Sequence, residues 1–173
     1  MKTIKILKRI ATLAVLFAIA TYLVSLTLNS GRTPEEILRR AYAKESPAFR
    51  VAQVLHTEPV PQGQLLFYRN GNGHMACAYV KEAQFSHRLA GSSGEILTTA
   101  QGSLPANMLY TRLDNTTWID WGIITNTAVH TVLINGEEAA TIETEGLRIC
   151  YRMGLGKQAQ EISAYQFLGT SIA

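Results

Sequence analysis

Three patterns of apolar and polar residues succeed one another along the chain. From Ile10 to Leu28, nineteen consecutive residues carry no charge, and Thr12, Thr21, Ser25 and Thr27 are the only hydrophilic ones. A helix rises about 1.5 Å per residue and the bilayer core is about 30 Å thick, so about 20 apolar residues cross it. The first pattern therefore predicts a transmembrane helix over 10–28. In the second, Ile37, Leu38 and Ala41 recur at helical spacing. Thr33-Pro34-Glu35-Glu36 supplies the start of that helix, with Thr33 as cap, Pro34 at the first helical position and Glu36 placed to close a capping box. The helix is expected to run to about Lys44, before Pro47.

From Phe49 the period becomes two. Val51–Thr57, Leu65–Tyr68, Met75–Val80 and Phe85–Leu89 read as four strands. Met75, Cys77 and Tyr79 share one face of the third, and Asn70-Gly71-Asn72-Gly73 forms a hairpin turn before it. Residues 91–117 are loop-rich, with a short strand at Leu109-Tyr110-Thr111. Trp118–Ile124 reads as core packing with a turn at Gly122. Val129–Ile134, Ala139–Ile142, Leu147–Tyr151 and Ile162–Leu168 come next, separated by turns at Asn135-Gly136 and Gly146 and a Gly154/Gly156 loop. The expected class is α+β, mainly antiparallel β, with about eight strands in two meanders. His56 and Cys77 recur as His130 and Cys150 at nearly the same spacing, 21 and 20 residues. A duplicated meander of this kind would give a two-sheet sandwich.

Charge sets the orientation of the first helix. Lys2, Lys5, Lys8 and Arg9 precede it, and the next basic residue, Arg32, comes just before Glu35 and Glu36. The positive-inside rule then keeps 1–9 in the cytoplasm as a basic tail and exports the chain beyond 10–28: a linker and short helix over 29–47 and a β-rich domain over 48–173. The rival is a cleaved signal peptide, with Ala18-Ile19-Ala20 as cleavage motif and a secreted domain as product. Tyr22-Leu23-Val24 is still apolar beyond that motif, which favours an uncleaved signal-anchor. The sequence pI of about 9.0 reflects sixteen basic residues against thirteen acidic ones. Four of the basic ones lie before residue 10, so residues 10–173 carry twelve against thirteen, a net −1. A near-neutral domain offers no basic face to nucleic acid.

Candidate chemistry is sparse. Cys77 and Cys150 are a candidate disulfide in an exported domain. None of His56, His74, His87 and His130 falls in a metal-binding spacing. Gly71-x-Gly73 and Gly154-x-Gly156 lack the helix and Lys-Ser/Thr pair of a phosphate loop, so no cofactor is implied. Asp114 and Asp120 flank Trp118, and Trp118, Asp120 and Trp121 form the candidate interaction surface, since aromatic residues are enriched at binding faces. An enzyme acting on envelope material would instead bring together two of His56, His130, Asp114, Asp120, Glu143 and Glu145.

Thr33-Pro34-Glu35-Glu36-Ile37-Leu38, Val54-Leu55-His56-Thr57, Gly63 leading into Leu66-Phe67-Tyr68, Trp121-Gly122-Ile123-Ile124, Val132 with Gly136 and Ala139, and Leu147-Arg148-Ile149 occur in this order. In this the chain resembles a loose group of short proteins of Gram-positive, Bacillus-like bacteria with one N-terminal membrane segment and a small extracytoplasmic α+β domain. It departs from them at 85–89, where Phe85-Ser86-His87-Arg88 replaces a tryptophan-rich strand. The resemblance implies topology and fold and no site. The expected partners are the lipid bilayer, through the first helix, and an envelope protein bound or tethered by the exported domain.

Overall fold

The computed structural model describes residues 2–29, 33–83, 86–98, 104–156 and 163–169. The Ser30-Gly31 break, Phe85, Gly102 and Ile162 lie outside them. The first helix, α1, is continuous over Lys2–Asn29. Its side chains are described from Ile10 to Leu23, and all of those are exposed. Among the described residues no helix is long and apolar enough to cross a membrane. The described stretch is fourteen residues, against about 20 for a span. Within it, the Thr21 hydroxyl donates to the carbonyls of Phe17 and Ala18, both at 2.9 Å, so this polar side chain is satisfied by its own helix.

The second helix, α2, spans Pro34–Ala41 with the capping box complete. The Glu36 amide donates to Thr33 Oγ1 at 3.2 Å, and the Thr33 amide donates to Glu36 Oε2 at 3.0 Å. It ends three residues before the expected Lys44. Tyr42 takes the C-cap, where its ring packs on Tyr68 with centroids 5.9 Å apart and its hydroxyl donates to Ser92 Oγ at 2.6 Å. Beyond the cap the backbone continues in turn-type bonds, Ala43 N–H to the Arg40 carbonyl at 3.3 Å and Glu45 N–H to the Tyr42 carbonyl at 3.1 Å. Leu38 is fully buried and seats α2 on Leu66, Tyr68, Ala76, Ala78 and Val80.

Sheet A comprises β1 (Val51–Val60), β2 (Gly63–Asn70), β3 (Met75–Ala83) and β4 (Ser86–Ser92), antiparallel and in chain order. The Asn70–Gly73 turn forms as expected. The Asn70 side-chain carbonyl accepts from the amides of Asn72 and His74, each at 3.0 Å, and Gly73 takes a φ of 81°. Met75, Cys77 and Tyr79 do share a face, but the alternate residues Ala76, Ala78 and Val80 are buried as well, beneath α2. Strand β1 runs beyond Thr57 and carries Pro59 paired with Gln64. Proline is tolerated there because β1 is an edge strand.

The second half of the chain does not repeat this meander. Sheet B has the order β5 (Ala106–Arg112), β6 (Thr117–Ile124), β10 (Leu147–Leu155), β9 (Ala140–Thr144). Sheet C has the order β11 (Tyr165–Gly169), β7 (Val129–Ile134), β8 (Glu137–Glu138). The described residues thus hold eleven strands in three sheets, where about eight in two were expected. Sheets A and B do pack face to face, through Phe67, Tyr79, Ile119, Trp121 and Ile149. Sheet C covers the far face of B, through Ile124, Val132, Ile134 and Cys150. The layer order is α2, A, B, C.

Gly122, expected as a turn, and Gly154, expected in a loop, both lie inside strands. Gly122 pairs with Cys150 and Met108 in the middle of β6, and a Cβ there would stand 2.3 Å from the Asn107 carbonyl oxygen and within contact of Met108 Sδ. Gly154 pairs with Trp118, whose indole occupies the space of its missing side chain. In both cases tertiary crowding, not a bend, selects glycine.

Replacing Gly122 by alanine should cost about 2 kcal/mol or more, because the obstacle is backbone and cannot step aside. Urea unfolding of Gly122→Ala against the native chain measures it.

Candidate functional site

The expected interaction surface is not a surface. Trp121 and Asp120 are fully buried and Trp118 nearly so. Trp121 points into the A/B core, its ring 5.7 Å from that of Phe67. Trp118 and Asp120 lie on the other face of β6, toward sheet C. The Asp120 carboxylate accepts from Ser163 Oγ at 2.7 Å and from the Tyr165 hydroxyl at 3.0 Å, which ties β11 to β6. Burial first, and the Asp120 charge second, push the Tyr165 phenol up to about 12. An apolar-aromatic run fits a binding face and a doubly covered strand equally well, and here it encodes burial on both faces.

The disulfide is likewise corrected. Cys77 and Cys150 are free thiols, Cys77 in the A/B core and Cys150 between B and C, so sheet B separates them. Burial raises both, Cys150 up to about 12.

The residues expected of an envelope enzyme are occupied elsewhere. Asp114 holds Lys81 at 2.6 Å and accepts from the amides of Thr116 and Thr117, both at 2.8 Å. Burial alone would raise its carboxyl, but the Lys81 ammonium and the threonine donors outweigh burial and hold it well below the usual carboxylate range. Glu143 lies 3.6 Å from Arg148, and Glu145 accepts from Gln53 at 2.6 Å. His56 Nε2 is 3.0 Å from Glu58 Oε2, His74 Nδ1 is 3.0 Å from Glu95 Oε2, and His130 is exposed on β7. Among the described residues no group of three or more His, Cys, Asp or Glu could hold a metal ion.

What the fold does build is a groove of about 410 Å³ at the end of β10. Strand β9 pairs with β10 only as far as Ala140 opposite Tyr151, whereas β6 pairs with β10 out to Leu155. Strand β9 begins only at Ala140 because Ala139 still bonds to sheet C, donating its amide to the Val132 carbonyl at 2.9 Å. Among the described residues, Arg152–Leu155 is therefore a strand segment with one paired side and one open side. The end of β1 and the residue after it, Pro59–Pro61, line the groove together with Glu138, Ala140 and Tyr151. Leu155 is 60% exposed.

The polar groups around the groove are fixed unequally. Arg152 runs toward sheet C, pairs with Glu137, donates to the Ile134 carbonyl and lies over the Trp118 ring. The Tyr151 hydroxyl faces the Glu58 carboxylate, and burial first, then that carboxylate, push the phenol up to about 12. Glu138 is exposed at the rim, with no ion pair among the described residues. The sequence marked Pro59 and Pro61 only as punctuation. The signal that could have found the groove is the mismatch between a short β9 and a long β10.

Comparison with known proteins finds no matching family model, no similar curated protein and no similar solved structure.

Thiolate is the reactive form of cysteine, so both thiols should resist a maleimide at pH 8 in the folded chain and both should label after unfolding without reductant. Mass spectrometry counts the adducts, and a pair that stays unlabelled in denaturant would restore the bridge. Because the folded value of Asp114 is depressed, its contribution is fully present above about pH 4 and is lost as pH falls through the carboxylate range. Urea midpoints between about pH 5 and pH 2 should therefore fall more steeply for the native chain than for Asp114→Asn. Parallel acid limbs would remove Asp114 from the account.

Proposed function

We propose that this chain is a single-pass membrane-anchored protein whose extracytoplasmic β-rich domain is a binding module, with the groove beside β10 as its binding face. The observation that carries the binding reading is the side of Arg152–Leu155 that is left open among the described residues. A strand edge with free amides and carbonyls, set against a proline-lined apolar wall, is the arrangement by which sheets take up extended segments. The anchor rests on the uncharged run Ile10–Leu28, the four basic residues before it and the continuous helix α1 across it. With residues 10–173 near neutral, the reading assigns a lipid bilayer and an envelope protein as partners and no nucleic acid. The engagement of Asp114, Asp120, Glu143 and Glu145 in structural contacts weighs against an enzyme acting on envelope material.

C-terminally tagged chain should remain in carbonate-washed membranes at full mass, and its domain should be cut by protease added to intact cells. A smaller tagged product in the medium would establish cleavage after Ala20 instead, and a soluble full-length chain would remove the anchor. A photo-crosslinking side chain placed at Leu155 should capture an envelope protein that the same probe at Leu168, on β11, does not. Equal capture at the two positions would remove the groove from this role.

A further inference from the structure

We infer that the groove receives an extended, lysine- or arginine-bearing segment of a partner protein, added as a strand along the free side of β10. The inference rests on the groove being the binding face and adds the chemistry of its occupant.

Backbone parity supports strand addition. Thr144 and Leu147 flank the two-residue turn Glu145-Gly146, both of whose residues have positive φ (46° and 75°). Such a turn makes the flanking residues a hydrogen-bonded pair, so Leu147, Ile149 and Tyr151 direct amide and carbonyl toward β9. The even-numbered residues face β6, as the neighbouring bond from the Gly156 amide to the Thr116 carbonyl at 2.6 Å requires. Continuing the count, Met153 and Leu155 present their amides and carbonyls to the groove. The open segment is four residues, about 13 Å long, which suits a short extended stretch continuing the line of β9. Its side chains on one face would meet Pro59–Pro61, Met153 and Leu155.

Charge selects among such segments. Among the described residues lining the groove, the cation is Arg152, and it is already consumed by Glu137. Glu138 stands exposed at the rim and unpaired among the described residues, whereas Glu58, next to Pro59, already lies 3.0 Å from His56. A cationic segment gains attraction at Glu138 without displacing an existing pair. An acidic one meets repulsion.

The test uses the full chain in detergent with three synthetic probes: an alternating lysine–valine pentapeptide, its glutamate–valine counterpart, and the lysine–valine peptide methylated on its backbone nitrogens. The lysine peptide should bind and shift the amide resonances of Met153 and Leu155. Binding should weaken at least tenfold for the glutamate peptide and for Glu138→Lys, and be lost on N-methylation. Leu155→Pro, which removes one groove-facing amide at a position that makes no ladder bond to β6, should weaken it similarly while leaving Tm nearly unchanged. Equal binding of the acidic and basic peptides would overturn the charge assignment, and undiminished binding of the methylated peptide would overturn strand addition. If neither peptide binds while the Leu155 crosslink still forms, this inference fails and the groove stands. If the crosslink is also absent, both fail.

Discussion

Strands β6 and β10 lie side by side, β6 covered on both faces along its length and β10 over Ile149–Tyr151. On one face Trp121 and Tyr151 pack about Phe67, with ring centroids 5.7 and 5.6 Å from it. On the other, Ile124 and Cys150 meet Val132 and Ile134. A sheet buried on both sides tolerates few side chains that fail to fit, and the remaining features answer to that demand. Glycine stands at 122 because the neighbouring strand's backbone comes too close, and at 154 because the Trp118 indole takes its place. Asp120, fully buried in the same strand, is tolerated because Ser163 and Tyr165 satisfy its oxygens. Those two donors come from the last described stretch of chain, so the cost of burying one carboxylate is offset by the bonds that fasten the last strand.

The groove is a by-product of the same layering. Covering the far face of sheet B requires the chain to pass from C back to B between Glu138 and Ala140, which limits the length of β9. Strand β10 has no such limit, since β6 supports it over its whole length. Among the described residues, four residues of edge are left open where two layers of the fold both draw on one short connection. Exposed edges are usually blunted by charge or proline. Here Glu138 and the segment Pro59–Pro61 stand beside the edge, and among the described residues none pairs with it.

The helix α2 works from the outside of this stack. It covers the second face of sheet A, so β3 is buried on both sides as β6 is, and its capping box places it only a few residues after α1.

Local rules were legible in the sequence wherever local energy decides. The capping box at Thr33, the Asn70–Gly73 turn, the shared face of Met75, Cys77 and Tyr79, and the antiparallel β class all come from φ preferences, backbone donors and a period of two. The sequence also determined the uncharged run of Ile10–Leu28 and the near-neutral charge beyond it. Other features depended on which strands meet, and no local signal carries that. The third sheet, the straight passage of β6 through Gly122, the separation of Cys77 from Cys150 and the burial of Trp118, Asp120 and Trp121 belong to this class. The groove belongs there too, because an open strand side is defined by where a neighbour stops, and only the pairing of β10 with β6 and β9 sets that point.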